Sequence, residues 1–189
     1  MVYEPQEDTE LLLEQIPNYA YGHVLDMGAG SGVLAIEAAK YATYVLAVDI
    51  DEEAVEKLRK KVTSLGIKNI AVRKSNLFSN IERDKRFNLI LFNPPYLPKK
   101  GPGDVEDEGE TNYDLALYGG AEGWEIIGSF LTDAHKHLEP GGVILMIFSS
   151  LTGEEKVKQL MSENYHYEKI SEKSFFFERL YLYKLRLKD

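Results

Sequence analysis

The chain has 189 residues, is 44% hydrophobic and 28% charged, and carries a net charge of −9, which fits a single domain with a full core (residues 1–189) and excludes disordered and fibrous classes. It contains no cysteine, so disulfides and thiolate metal sites are out and a reducing compartment is expected. The acidic balance disfavours gripping nucleic acid through phosphates, which needs a basic face. No apolar run approaches the length of a membrane span, the opening MVYEPQED holds no basic or apolar leader, and a cytoplasmic location is expected.

Residues 1–20 read as an N-terminal helical segment. Asp8 and Thr9 are both N-cap types, Leu11, Leu12, Leu13 and Ile16 follow, and Pro17 is the expected stop. Residues 23–27 form a short β run that enters Gly28-Ala29-Gly30-Ser31-Gly32, and Val33, Leu34, Ile36, Ala38 and Ala39 continue as a helix. Strand, glycine loop and helix make the plan of a nucleotide site. Glycines let a ligand approach the backbone, and a helix start offers free N–H groups. The dinucleotide fingerprint needs a glycine at position 33, where this chain has valine, so the spacing is G-x-G-x-G. Asp26, two residues before the first glycine, suits a ligand with an ammonium group.

Residues 44–50 are the next strand and carry Asp49, 21 residues past Gly28, near the spacing of an acid that accepts from ribose hydroxyls. Asp51, Glu52 and Glu53 read as cap and first turn of a helix with Ala54, Val55, Leu58, Val62 and Leu65 at helical spacing, stopped by Gly66. Residues 67–73 are a third strand. Ser75-Asn76-Leu77-Phe78 then either lies beside a nucleoside base or makes a plain ST- or Asx-type turn.

Residues 87–92 are a fourth, buried strand that runs into Asn93-Pro94-Pro95-Tyr96. Two prolines hold the backbone extended and fix where the amide and the phenol point. That arrangement suits gripping a planar, polar group. Residues 97–120 hold six acids and are too long and irregular for an ordinary connection. They read as a solvated acidic face, or as a charge screen for partners. Residues 123–138 read as a helix, Pro140-Gly141-Gly142 as a turn, 143–150 as a fifth strand, 153–161 as a helix, 165–170 as a sixth strand, and 175–187 as a long final strand, antiparallel in a hairpin. His135 and His137 fall on the expected helix at a spacing that points them apart, and no metal site is expected. Asp26 to Gly32, Asp49, Asn76 and Asn93 to Tyr96 all lie at carboxyl ends of expected parallel strands, where sheets of this kind bind ligands.

On these residues the chain resembles the Rossmann-like class I S-adenosylmethionine-dependent methyltransferases over essentially its whole length. D-M-G-A-G-S-G looks like their first motif and Asp49 their second, and Asn76 stands where many members carry aspartate. Asn93-Pro94-Pro95-Tyr96 looks like the N-P-P-Y signature of methyltransferases that act on planar nitrogens. The likeness is greatest to the small archaeal and eukaryotic branch of HemK-type release-factor glutamine methyltransferases. It is carried by Y-E-P-Q-E-D-T-E-L-L-L at the start, F-N-P-P-Y-L-P, and Y-G-G-A-E-G-W-E after the acidic loop.

The resemblance implies an α/β fold: a seven-stranded, mostly parallel sheet with an antiparallel C-terminal hairpin strand and helices on both faces. It implies S-adenosylmethionine as cofactor, with Asp26 near the methionine moiety, the backbone at Gly28, Ala29 and Gly30 against the ligand, Asp49 and Ile50 at the ribose, Asn76 and Leu77 at the adenine, Thr9 reaching in from the N-terminal segment, and Asn93 also in contact with the cofactor. Asn93, Pro94 and Tyr96 would be catalytic: Asn93 and the Pro94 carbonyl accept amide hydrogens and Tyr96 stacks. The implied activity is N5-methylation of the glutamine in the Gly-Gly-Gln loop of a class I release factor. The implied partner is a small zinc-binding activator protein, for which the third strand, with Ile70 and Val72 at an expected sheet edge, offers a place to pair. Adenine-N6 methylation of nucleic acid and a non-catalytic binding module stay open as alternatives, because N-P-P-Y is shared with adenine methyltransferases.

Overall fold

The computed structural model of the chain describes residues 7–99 and 117–188. The apolar runs form one seven-stranded sheet in the order β3-β2-β1-β4-β5-β7-β6. The strands are β1 (His23–Met27), β2 (Tyr44–Asp49), β3 (Ile70–Lys74), β4 (Phe87–Phe92), β5 (Leu138–Ser149), β6 (Tyr165–Ser174) and β7 (Arg179–Leu187). β1 to β5 pair in parallel. β7 runs antiparallel to both β5 and β6, inserted between them. β3 is an edge strand, as the resemblance implied.

Helices α1 (Glu7–Leu13), α2 (Ile16–Tyr19), α3 (Val33–Ala38) and α4 (Glu52–Ser64) cover one face; α5 (Glu125–Ala134) and α6 (Glu154–Asn164) cover the other. Strand alternation sorts the side chains between the two cores. In β7, Leu180 and Leu182 pack under α1 to α4, whereas Tyr181, Tyr183 and Leu185 pack with α5 and α6. Apolar residues at both parities are what a strand buried on both faces requires. Asp51 caps α4 by accepting from the Glu53 N–H at 2.9 Å, and Gly66 leaves the helix at φ +66°.

Several local expectations are corrected. Pro17 does not end the N-terminal segment. It sits in the first turn of α2, where its missing N–H has no partner to lose. The helix after the acidic loop is shorter than expected, and His135–His137 form a 3₁₀ turn. Pro140, Gly141 and Gly142 lie inside the bounds of β5, as a bulge that shifts its register against β4 from Phe87↔Leu138 to Leu89↔Val143. The final strand starts at Arg179, because residues 175–178 make the turn.

The acidic centre of the 97–120 loop and the stretch from Tyr3 to Gln6 lie outside the described residues. The loop's ends are described, and they pair: Leu97 and Tyr118 form a parallel bridge. Gly119 is required here, since a Cβ on it would stand 2.3 Å from the Gly123 carbonyl oxygen and 2.5 Å from that of Pro95. Among the described residues, no helix is long and apolar enough to cross a membrane.

Candidate active site

Parallel strands leave their loops on one edge, and the loops after β1, β2, β3 and β4 enclose a cleft of about 1300 Å³ there. Of the residues singled out in the sequence, Gly28, Ala29, Gly30, Asp49, Ile50, Asn76, Leu77, Asn93, Pro94 and Tyr96 all line it. Asp26 and Thr9 do not.

The first half of the cleft is built from backbone. Gly28 and Gly30 take φ +70° and +50°, and a Cβ built on either meets nothing within 4 Å. These two glycines therefore keep their side clear for something that occupies the cleft. Gly32 serves packing instead, since its Cβ would stand 2.0 Å from a Leu58 methyl. Asp49 is clamped by two backbone donors: Gly30 N–H reaches Oδ2 at 2.8 Å and Asp51 N–H reaches Oδ1 at 2.9 Å. Each oxygen keeps a lone pair for a ligand hydroxyl. Burial pushes this carboxyl above its ordinary value, against the backbone hydrogen bonds from Asp51, Gly30 and Ile50.

After β3, the Ser75 hydroxyl donates to the Leu77 carbonyl at 2.6 Å and accepts from Asn80 N–H at 3.0 Å. It holds Leu77 at φ +46°, a left-handed conformation rare for a side chain of this kind. The stretch is thus an ST-type turn and a wall of the cleft at once. Asn76 presents an exposed amide there.

Asp26 has a different place from the one expected beside the methionine moiety. It lies behind the glycine loop, on the face that packs against α3. Its Oδ2 accepts from Ala35 N–H at 2.9 Å, which caps a helix whose own N-cap, Gly32, has no side chain. Its Oδ1 is buried with no partner. Burial raises the carboxyl to about 7, with the Asp49 charge adding to the effect.

The second half is built from side chains. Asn93 donates from Nδ2 to Asp8 Oδ2 at 3.1 Å, and the Tyr96 hydroxyl donates to the same oxygen at 3.4 Å. A carboxylate oxygen only accepts, so it fixes which end of the Asn93 amide faces it. The other end, Oδ1, is buried without a partner. Burial and the carboxylates of Asp8 and Glu178 push the Tyr96 phenol well above its ordinary value, which keeps it a donor. The Thr152 hydroxyl holds the Tyr96 carbonyl at 3.0 Å. Thr9, expected at the cofactor, is buried beneath Asp8: its N–H and hydroxyl both donate to Asp8 Oδ1, at 2.6 and 3.2 Å. It holds the carboxylate and leaves the cleft to Asp8.

Sequence reasoning missed three further acids and hydroxyls of this wall: Glu125, Glu178 and Thr152. Glu125 Oε2 and Glu178 Oε1 are buried without partners, and both residues line the cleft. Only an acid beside a helix start (Glu125) carried any signal. His137, expected on a helix and pointing away from His135, is buried at the cleft's far end, where its Nδ1–H donates to the Lys85 carbonyl at 2.9 Å and its ring stacks on Phe78 at 4.7 Å. Among the described residues, no cluster of three metal-ligating side chains exists.

A parallel sheet with β7 inserted antiparallel, and a glycine-loop cleft on its carboxyl edge, define a Rossmann-like methyltransferase fold. Residues 4–106 match the Methyltransferase small domain family, and the chain belongs to that family and is a methyltransferase. It is 41% identical over 157 residues to a putative protein N5-glutamine methyltransferase of Methanocaldococcus jannaschii, covering 82% of this chain and 76% of that protein. It is 32% identical over 148 residues to the release factor glutamine methyltransferase of Deinococcus radiodurans, covering 75% of this chain and 52% of that one. The chain thus spans about three quarters of the first relative and about half of the second. Among solved structures, the E. cuniculi Mtq2-Trm112 complex, responsible for methylating the translation termination factor eRF1, aligns with a TM-score of 0.74 at 23% identity over 99% of both chains.

Proposed function

We propose that this methyltransferase uses S-adenosylmethionine to methylate N5 of the glutamine in the Gly-Gly-Gln loop of a class I release factor. The observation that carries the reading is the Asn93 carbonyl oxygen: buried, unpartnered and aimed by Asp8 in a cleft that also holds an open glycine cradle. The names of the relatives above supply the acceptor.

The residues fit the cofactor. Gly28 and Gly30 leave room for its chain against the backbone, Asp49 has lone pairs free for two ribose hydroxyls, and Asn76 and Leu77 stand where a base would lie. When bound, the cofactor supplies an electrophilic methyl on a sulfonium. The protein's task is the other reactant. A carboxamide nitrogen is a poor nucleophile because its lone pair is delocalised, and no ordinary side chain removes its proton at neutral pH. Asn93 Oδ1 and the Pro94 carbonyl accept its two hydrogens and so aim the nitrogen. Orientation of this kind is worth up to about 7–11 kcal/mol. Tyr96 covers the planar group and excludes water. N–H becomes N–CH₃, and the displaced proton passes to solvent, because an N-protonated amide is a strong acid.

Asp8, Glu125 and Glu178 surround the acceptor end of the cleft, a poor setting for the phosphates of a nucleic acid. A cytoplasmic location goes with a translation factor as substrate. The edge position of β3 leaves room for an activator that adds a strand there. The test is methyl transfer from S-adenosylmethionine to a class I release factor, wild type against Gln→Ala in the Gly-Gly-Gln loop. Label on the wild type alone is expected; equal label on both sinks the reading.

A further inference from the structure

The turn between β6 and β7 carries Phe175-Phe176-Phe177. Phe176 is 92% and Phe177 85% exposed, whereas the next most exposed large apolar side chain described, Leu65, is 57% exposed. The two rings meet edge to face, 4.6 Å apart at 83°. Single apolar residues on a surface are ordinary, but adjacent aromatic rings held out together mark an interaction site.

This tip is held in place. Phe175 N–H donates to the Glu178 carbonyl at 2.7 Å and closes the turn. Arg179 N–H donates to Ser150 Oγ at 3.0 Å, tying the turn to the end of β5. Lys173 pairs with Glu10 at 3.3 Å, tying it to α1, the helix that carries Asp8. The residue that follows the rings, Glu178, lines the cleft with a buried, unpartnered oxygen. The exposed rings and the catalytic amide therefore stand on one lip.

A pocket that reads a carboxamide cannot tell one glutamine from another. Selection of the right protein has to come from surface beside the pocket. We propose that Phe176 and Phe177 are the docking element for the protein substrate: they bury in an apolar notch next to the loop being methylated, while Glu178 accepts an N–H from the same partner. This rests on the function proposed above. Aromatic anchors dominate interface energetics, and a turn already closed by hydrogen bonds loses little freedom on docking. The net charge of −9 and the acidic lip oppose an anionic membrane as the occupant.

The test compares wild type with Phe176→Ser/Phe177→Ser, on an intact class I release factor and on a short peptide holding its Gly-Gly-Gln loop. Both positions are exposed, so the double variant is expected to melt with wild type. Its KM for the intact factor should rise about tenfold or more, kcat and all peptide kinetics should stay within about twofold, and the calorimetric Kd for the factor should weaken in parallel. An unchanged KM and Kd for the intact factor overturns the proposal, and so does an equal loss on peptide and factor. Loss of binding to phosphatidylglycerol vesicles, or of a dimer in sedimentation, with the factor's KM unchanged, overturns it in favour of a lipid surface or a second copy. No transfer by wild type to either substrate overturns the proposed function itself, and docking with it.

Discussion

The two halves of the cleft are built by different means. The half around Gly28 and Gly30 is made of backbone from two neighbouring strands and their loops, which also clamps the Asp49 carboxylate. The half around Asn93 is made of side chains from segments far apart in the chain: Asp8 on α1, Asn93 and Tyr96 after β4, Thr152 after β5, and Glu178 in the last hairpin. Backbone shapes a site through φ and the absence of a Cβ, and tolerates change in the side chains around it. A side-chain network fails when any member leaves, because each aims the next.

The sharpest way to break the comparison is Asn93→Ala. It removes the orphan acceptor, and kcat for methyl transfer should fall about 10²–10³-fold, with the Kd for S-adenosylhomocysteine unchanged within about threefold. A matching loss of cofactor affinity would mean that the halves are one site. Asp8→Asn comes next. It leaves the fold's volume intact but lets the Asn93 amide face either way, so kcat should drop about 10- to 100-fold, as for other residues that orient a catalytic group. Cofactor binding should again hold, and Tyr96→Phe, which leaves the Asn93–Asp8 bond in place, should lose less.

On the backbone side, Gly30→Val should weaken cofactor binding about tenfold or more while costing roughly 1–2 kcal/mol of stability for its positive φ. Gly32→Val collides with Leu58 and should act the other way round, with the larger loss in thermal stability. Smallest in effect is the pH dependence of Asp26. Its folded carboxyl is raised from 3.8 to about 7, so the folded state holds the proton more tightly than the unfolded one. The stability this contributes is complete below about pH 4 and declines as pH rises to about 7. Asp26→Asn should flatten that part of the melting profile between pH 4 and 8; an unaltered slope would assign the decline to Asp49 instead.

The same division governs how much was legible beforehand. Strand, glycine loop and helix are adjacent in sequence, so local spacing alone placed Gly28, Gly30 and Asp49 on one edge. Asp26 shows the limit of that reading. Its spacing from Gly28 is what the motif asks for, but strand alternation turns its side chain away from the cleft and onto the first turn of α3, which a glycine N-cap had left uncapped. Thr9 and Asp8 are adjacent, and helix geometry turned the second of them, not the first, into the cleft.

By itself the sequence determined the order of β-α units, the parallel core, and the rigid exit of Asn93 from β4, because periodicity, glycine and proline act through neighbours along the chain. Only the tertiary structure decided that β7 slips between β5 and β6, that Asp8 reaches across 85 positions to aim the Asn93 amide, and that Glu178 and two bare phenylalanines end on the same lip. Those contacts depend on packing between distant segments, and no local pattern encodes where a fold will bring them.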